Sequence, residues 1–248
     1  PADLGFYMRA FTLQQLPSET VGRIIGRVTF PLFAQIQTEA TRVRNGFRKA
    51  LRAISLVSFP LMIGLLVCAR PLVLTLFTDK WSPAIPYLQL LSIVGLIYPL
   101  NMINQNVILA VGHSDLYFRL EVVKKVLIVV SIAITWRWGI EALIWGQIAA
   151  ALAAYGLSSH YSGATVGYGF RGQLGDLLPY LGAACVMGAA VFMLNGLPFA
   201  HPALLLTAQV ITGVLVYGLL CRGFRLPVFM DGWAILQGKM IAMRMARL

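Results

Sequence analysis

Charged side chains are scarce in this sequence, and acidic ones are scarcest. Of its 248 residues, 12% are charged and only nine are Asp or Glu, whereas 58% are hydrophobic. Soluble domains carry about a quarter charged residues, because a dissolved surface has to be hydrated. So few charges would leave a soluble protein of this size with a largely apolar surface. The composition therefore excludes an ordinary soluble domain and indicates an integral membrane protein.

The groups that catalysis and metal binding require are also few. Cys68, Cys185 and Cys221 lie in or at the ends of apolar runs and form no CxxC or other ligand spacing. The three histidines fall at the ends of predicted spans, without a neighbouring base or ligand. The sequence has no P-loop, HExxH, DxD or GxSxG motif. We therefore expect no enzyme activity, no metal and no cofactor.

Long apolar runs fill most of the chain, so the predicted fold is an all-α polytopic helix bundle with about seven transmembrane helices. Each run approaches or exceeds the roughly 20 residues that cross a hydrocarbon layer. The polar segment Thr38–Arg52 between the first two runs is predicted to be a cytoplasmic loop. Prolines and the stretch 68–71 are expected to interrupt or bend some runs. The predicted spans are residues 6–37, 53–77, 84–111, 117–136, 140–160, 177–197 and 202–220.

Lysine and arginine are distributed unevenly between alternate connections. One side of the predicted membrane holds only Lys80 and Arg137 in its loops, with Arg9 near the start. Cytoplasmic loops are enriched in these residues, so the more basic side, with the C-terminus, is expected in the cytoplasm. Trp136 and Trp138 fit an aromatic belt at the opposite face. The net charge is +11, but the lysine and arginine residues fall between apolar runs rather than in one basic stripe. No nucleic-acid partner is therefore expected.

A few cationic and amide side chains fall inside the predicted spans. Such groups are costly in lipid unless they face water, protein or a ligand, so they suggest a pathway for an anionic or sugar-like passenger. For Arg23 and Arg27 the alternative is that they reach the membrane interface or pair with Glu19. The candidate pathway residues are Arg23, Arg27, Asn101, Asn104, Gln105 and Lys124, with Lys125 beside the last.

Five short motifs in the first half of the chain resemble those of Wzx-type polysaccharide flippases, members of the multidrug/oligosaccharidyl-lipid/polysaccharide exporter superfamily. They occur in the expected order and spacing over roughly residues 4 to 116, and the rest of the chain matches only as apolar spans. His113 stands where Arg or Lys is common, and Thr78 where Gly is usual. The motifs are LGFYMRA at 4–10, RVTFPLFA at 27–34, FPLM at 59–62, DKWSPA at 79–84 and LAVGHSD at 109–115.

This resemblance implies the second half of a 14-helix flippase that moves a lipid-linked oligosaccharide across the bacterial inner membrane by alternating access. Residues 1–161 would form the C-terminal transmembrane lobe with five spans, residues 162–222 two additional helices, and residues 223–248 a basic, amphipathic cytoplasmic tail. The implied partners are an undecaprenyl diphosphate-linked substrate, membrane lipids and a missing N-terminal lobe of the same chain. The implied cavity is cationic and receives the diphosphate at Arg23 and Arg27.

Two other functions are compatible with the same residues. A cation-coupled multidrug or toxin exporter would require a carboxylate within the membrane, and the nearest candidates, Glu121 and Glu141, lie near span ends. A membrane enzyme of the O-antigen polymerase or ligase type would be expected to carry a large outer loop. No predicted outer connection exceeds about ten residues, which is short.

Overall fold

The structure, a computed structural model, describes residues 2–37, 39–197, 201–232 and 234. The described residues form helices without strands, which confirms the predicted all-α class. Short 3-10 turns lie at Asp79–Trp81, Trp136–Trp138 and Leu194–Gly196. The helices are α1 (Ala2–Gln35), α2 (Ala40–Val67), α3 (Ala69–Leu76), α4 (Ala84–Ala110), α5 (Ser114–Thr135), α6 (Ile140–Val166), α7 (Phe170–Met193) and α8 (Pro202–Gly223).

Seven of these helices are long, and each overlaps one predicted span. Five of them, α2, α4, α6, α7 and α8, are long and apolar enough to cross a membrane. The other two, α1 and α5, carry five charged residues each and do not meet that criterion. The multi-pass helical architecture is therefore confirmed, while the count of seven spans stays a prediction.

The predicted loop at Thr38–Arg52 is wrong. Helix α2 begins at Ala40 and continues without interruption through the basic segment. Lys and Arg are good helix formers, so polarity marks the edge of the lipid layer here rather than the end of the helix. Most of the predicted basic tail, residues 235–248, lies outside the described residues. The predicted domain boundary after residue 161 falls inside α6, and that division stays a prediction.

The prolines affect the helices less than the sequence suggests. Pro17 and Pro31 lie inside α1, and Pro99 lies inside α4, and both helices continue past them. The expected interruption after α2 is confirmed, because the helix ends at Val67 and α3 begins at Ala69. Pro71 occupies the first turn of α3, where its missing N–H is not needed for an intrahelical bond.

Helix α4 lies at the centre of the bundle and packs against α1, α2 and α6. Helix α7 packs on α2 and α8, and α5 packs mainly on α6. Two buried clusters hold the bundle together, one around Ala10, Leu88 and Ile144 and a larger one that includes Phe47 and Tyr180. We call the end with Trp81, where α4, α6 and α8 begin, the Trp81 end, and the opposite end the Asp176 end.

Small residues allow α1 to approach α4 closely. A Cβ atom at Gly22 would lie 3.0 Å from Met102 Sδ, and one at Gly26 would lie 2.6 Å from Met102 Cε. The two glycines are four residues apart and so share one helix face, the small-xxx-small arrangement found between membrane helices. This packing fixes which face of α1 is buried and therefore which face remains exposed.

Candidate functional site

The two arginines predicted from α1 lie on its exposed face. Arg23 and Arg27 each follow one of the packing glycines by one residue, about 100° around the helix, and both are exposed. Arg23 Nε donates a hydrogen bond to the main-chain oxygen of Glu19 at 3.4 Å, not to its carboxylate, which accepts from Gln15 instead. Within the described part of the chain, neither arginine forms an ion pair.

Asn104 is fully buried in a hydrogen-bond network between α4, α6 and α7. Its Nδ2 donates to Gln173 Oε1 at 3.1 Å, and its Oδ1 accepts from Gln173 Nε2 at 2.9 Å and from Ser162 Oγ at 2.5 Å. The Tyr155 hydroxyl donates to the same Gln173 oxygen at 3.0 Å. Both polar atoms of the Asn104 amide are bound by protein, so in this state the residue holds three helices together.

Gln105 and Lys124 meet at Glu121, where α4 contacts α5. Gln105 Nε2 donates to Glu121 Oε1, and Lys124 Nζ lies 3.5 Å from the same oxygen. The Lys124 side chain is only 12% exposed, so this contact satisfies a cation that is largely shielded from water. A carboxylate held by an ammonium group in this way is less available to carry a proton or Na⁺ for a coupled exporter.

Asn101 lies one turn before Asn104 and is half-buried. Its Nδ2 donates to the main-chain oxygen of Ala151 at 3.4 Å, a long bond, while its Oδ1 is buried without a partner within the described residues. A free buried acceptor of this kind favours an additional ligand or water. Asn101 therefore retains unused hydrogen-bonding capacity.

The six candidate residues do not form one cluster. Arg23 and Arg27 lie on the exposed face of α1, whereas the α4 amides contact α5, α6 and α7. Lys124 belongs with Gln105 through Glu121. The assignment of all six to a substrate pathway stays a prediction, and the structure divides it into an exposed cationic face and a set of interhelical amides.

Sequence reasoning missed a buried ionic cluster at the Asp176 end. Asp176, on α7, is 8% exposed and accepts hydrogen bonds from Arg48 and Arg52 of α2 at 2.5–2.9 Å. The Tyr168 hydroxyl donates to the same carboxylate at 2.5 Å. The four-residue spacing of the two arginines was the available signal, since it places both on one helix face. Their partner, which follows more than 120 residues later, was not identifiable from spacing.

Two of the motifs that carry the family resemblance meet in space at the Trp81 end. The Phe6 and Trp81 rings contact edge to face with centroids 5.6 Å apart. The Arg9 guanidinium lies 5.0 Å from the ring centroids of both Phe77 and Trp81. Cation–π contacts of this geometry stabilise by about 0.5–1 kcal/mol at exposed sites. The first motif thus braces the start of α1 against the turn that precedes α4.

The fold is a bundle of long helices that is shared with a solved membrane-protein structure. A solved structure of the lipid II flippase MurJ in an inward closed conformation matches with a TM-score of 0.74, covering 90% of this chain and 47% of MurJ. The sequences are 14% identical over this match, so the likeness concerns the fold. It confirms the predicted helix bundle of flippase type.

Sequence comparisons point to polysaccharide biosynthesis. A family model described as "Polysaccharide biosynthesis protein" matches residues 1–86, which contain α1, α2 and the Trp81 turn. The teichuronic acid biosynthesis protein TuaB of Bacillus subtilis is 38% identical over 115 residues, covering 46% of this chain and 24% of TuaB. The lipopolysaccharide biosynthesis protein WzxC of Escherichia coli is 34% identical over 130 residues, covering 52% of this chain and 26% of WzxC.

These comparisons confirm the resemblance to Wzx-type polysaccharide flippases. They also limit what can be carried over, because the chain spans about a quarter of the length of the curated relatives it matches. The residues that the family model matches, 1–86, contain four of the five sequence motifs.

Proposed function

We propose that this chain is part of a flippase that translocates lipid-linked oligosaccharide precursors of a surface polysaccharide. The proposal is supported by the polysaccharide biosynthesis family model, by TuaB and WzxC, and by the flippase fold. In this function the protein is a transporter and catalyses no covalent step. The membrane would be the bacterial inner membrane, with the C-terminus in the cytoplasm, because the Asp176 end carries most of the lysine and arginine residues.

The observation that carries the proposal is the exposed face of α1. Thr12, Thr20, Arg23 and Arg27 follow each other there at helical spacing and are all exposed, on a helix whose opposite face is buried against α4. Two arginines without acidic partners in the described residues are unfavourable against lipid, by about 2.5–3.5 kcal/mol each at mid-depth. A polar cavity between this face and a second lobe of the same protein would accommodate both.

The proposed passenger is an undecaprenyl diphosphate carrier with its attached sugars. Arg23 and Arg27 are four residues apart and project from the same helix face, about one turn from each other. Guanidinium groups form paired hydrogen bonds with phosphate oxygens, and two of them one turn apart match a diphosphate. The threonine hydroxyls farther along the face suit hydroxyl groups of the sugar. Membrane lipids would surround the remaining helix faces.

The test is the accumulation of lipid-linked oligosaccharide in cells that carry the full-length protein with Arg23→Ala or Arg27→Ala. We expect transport to fall by about tenfold or more in each alanine variant, because a charge-assisted contact to phosphate is lost. Arg23→Lys and Arg27→Lys should each retain partial activity, because the positive charge remains. Mass spectrometry of lipid extracts would show accumulation of the lipid-linked intermediate at normal protein level. Arg119→Ala, which removes an exposed cation from α5, is the matched control.

Normal export by both alanine variants would refute the assignment of the α1 arginines to the pathway. They would then be residues that extend to the membrane interface, the alternative considered from the sequence. Loss of export in Arg119→Ala to the same degree would indicate a general requirement for positive charge rather than a binding site. A selective loss at Arg23 and Arg27 supports the cationic cavity.

A further inference from the structure

A cleft of about 530 Å³ lies at the Trp81 end, between the end of α2, α3, the start of α4, the end of α7 and the start of α8. It is remote from the exposed arginines of α1. Its polar lining consists of Arg70, Gln89, Asn195 and His201, and its apolar lining includes Leu74, Phe192 and Leu205. The cleft therefore has hydrogen-bond donors and apolar side chains in the same lining.

The polar side of this cleft offers positive charge and donors. Arg70 is exposed, and within the described parts of the chain it forms no ion pair. Asn195 Oδ1 accepts a hydrogen bond at 3.0 Å from the buried Gln209, which leaves the Asn195 amide nitrogen as the group available to a ligand. None of the described lining residues is Asp or Glu. The complementary ligand is an anion.

The position of the cleft indicates where the anion comes from. Four of the helices that form it, α2, α4, α7 and α8, are long and apolar enough to cross a membrane, and the cleft lies at their ends. The ends of such helices lie near the lipid headgroups, outside the hydrocarbon core of about 30 Å. Phe192 and Leu205, which belong to the spans α7 and α8, provide an apolar wall in the same cleft.

We propose that this cleft binds the phosphate of an anionic membrane phospholipid, with Arg70 as the principal contact. Arg70 and the Asn195 amide would hold the phosphate oxygens, and the first part of an acyl chain would lie along Phe192 and Leu205. A bound lipid would contact α3 and α4 on one side of the cleft and α7 and α8 on the other. The proposal does not depend on the transport function proposed above.

The experiment is a native mass spectrometry titration of the full-length protein in detergent with dioctanoyl phosphatidylglycerol. Two control ligands are titrated in parallel. Dioctanoylglycerol has the same acyl chains but no phosphate, and inorganic phosphate has the negative charge but no acyl chains. We expect phosphatidylglycerol to bind more tightly than either, and Arg70→Gln to weaken its binding by about tenfold, since the charge-assisted hydrogen bonds are lost. Arg137→Gln, at the exposed turn between α5 and α6 at the same end, should bind like the unmodified protein.

Each departure from this pattern would overturn a stated part of the proposal. Equal binding of dioctanoylglycerol would show that the phosphate is not recognised, and equal binding of inorganic phosphate would show a free-anion site rather than a lipid site. Unchanged binding in Arg70→Gln, or an equal loss in Arg137→Gln, would refute the role of Arg70. Arg70 is exposed, so its replacement should leave the thermal unfolding midpoint unchanged, and that measurement verifies folding.

Discussion

At the scale of single residues, the charges in the described part of the chain divide into ion pairs, both inside the bundle and at its surface, and cations without an acidic partner. Asp176 is nearly buried, and it receives two arginines and a tyrosine hydroxyl. Glu121 receives Lys124 and Gln105. Arg23, Arg27 and Arg70 have no acidic partner among the described residues, and they carry the two binding proposals.

Replacing Asp176 with Asn should destabilise the bundle. The change removes the negative charge that Arg48 and Arg52 share, which leaves two cations facing each other beside the core. We expect a loss of about 1–3 kcal/mol in the free energy of unfolding, toward the lower end because Arg48 is half exposed and can turn to water. Thermal unfolding of the purified protein in detergent measures it.

The control for this prediction is Asp79→Asn, since Asp79 is exposed in the turn before α4. Its replacement should change stability by less than about 0.5 kcal/mol. If Asp176→Asn were as stable as this control, the cluster would be incidental to the packing of α2 on α7. Arg52→Gln combined with Asp176→Asn should cost less than the sum of the two single changes, because the residues interact directly.

The sequence predicts individual polar residues better than it predicts their partners, because the partners are often far away along the chain. The position of Arg23 and Arg27 in a predicted span predicts that they line a pathway; both are exposed, and their role stays a prediction. The same reasoning predicts Asn104, yet its partner Gln173 is 69 residues away and precedes the predicted span 177–197 by four residues. Hydropathy therefore classed Gln173 as a loop residue, and the network was not identifiable without coordinates.

At the scale of helices, the structure differs from the sequence prediction mainly at helix ends. Helix α2 has 28 residues, about 42 Å at 1.5 Å per residue, whereas the hydrocarbon layer is about 30 Å thick. Its basic first turns extend beyond the apolar part without a change of conformation. Hydropathy predicts where the chain leaves the lipid layer. The main-chain hydrogen bonds of the helix continue past that point, so the helix does not end there. The same applies to α7, which begins at Phe170.

The end of α6 provides a second prediction, at Gly163. A Cβ atom there would lie 2.5 Å from the main-chain Cα of Gly169, in the connection to α7, and backbone atoms cannot rotate away as a flexible side chain can. Gly163→Ala should therefore displace α7 or fray α6, with a loss of about 1–3 kcal/mol. Thermal unfolding in detergent again provides the measurement.

Gly156→Ala on the same helix is the matched control. Nothing lies within 4 Å of a Cβ atom at Gly156, so the change should be neutral or stabilising by up to about 1 kcal/mol through helix propensity. Equal stability of the two variants would contradict the close backbone approach. Destabilisation by Gly163→Ala alone would confirm that the α6–α7 connection is set by main-chain contact.

At the scale of the whole molecule, the long helices alternate in direction, and the basic residues are concentrated at one end. Gly95 of α4 faces Gln14 of α1, and Gly26 farther along α1 faces Met102 farther along α4, so these two helices run parallel. Arg48, Arg52 and Lys49 gather at the Asp176 end. The sequence predicted this separation because alternate connections differ in basic residues, a signal that needs no knowledge of packing.

The orientation can be tested with single cysteines. With Cys68, Cys185 and Cys221 replaced by Ser, we expect Arg137→Cys to react with a membrane-impermeant maleimide in intact spheroplasts, and Asn45→Cys to react only after lysis. Both positions are exposed, at opposite ends of the bundle. The measurement is labelling of the purified protein. The reverse pattern would place the Asp176 end outside and contradict the proposed cytoplasmic C-terminus.

The charged start of α5 has a consequence for how the protein is made. Helix α5 carries Arg119, Glu121, Lys124 and Lys125 within its first twelve residues, and it does not meet the criterion for a membrane span. Its main neighbour is α6, which does meet that criterion, and the two are joined by a turn of only a few residues. During synthesis α5 would enter the bilayer poorly on its own, since each charge is costly there. If α5 spans the membrane as the sequence predicts, its insertion would depend on α6 leaving the ribosome, so that the two enter together as a helical hairpin.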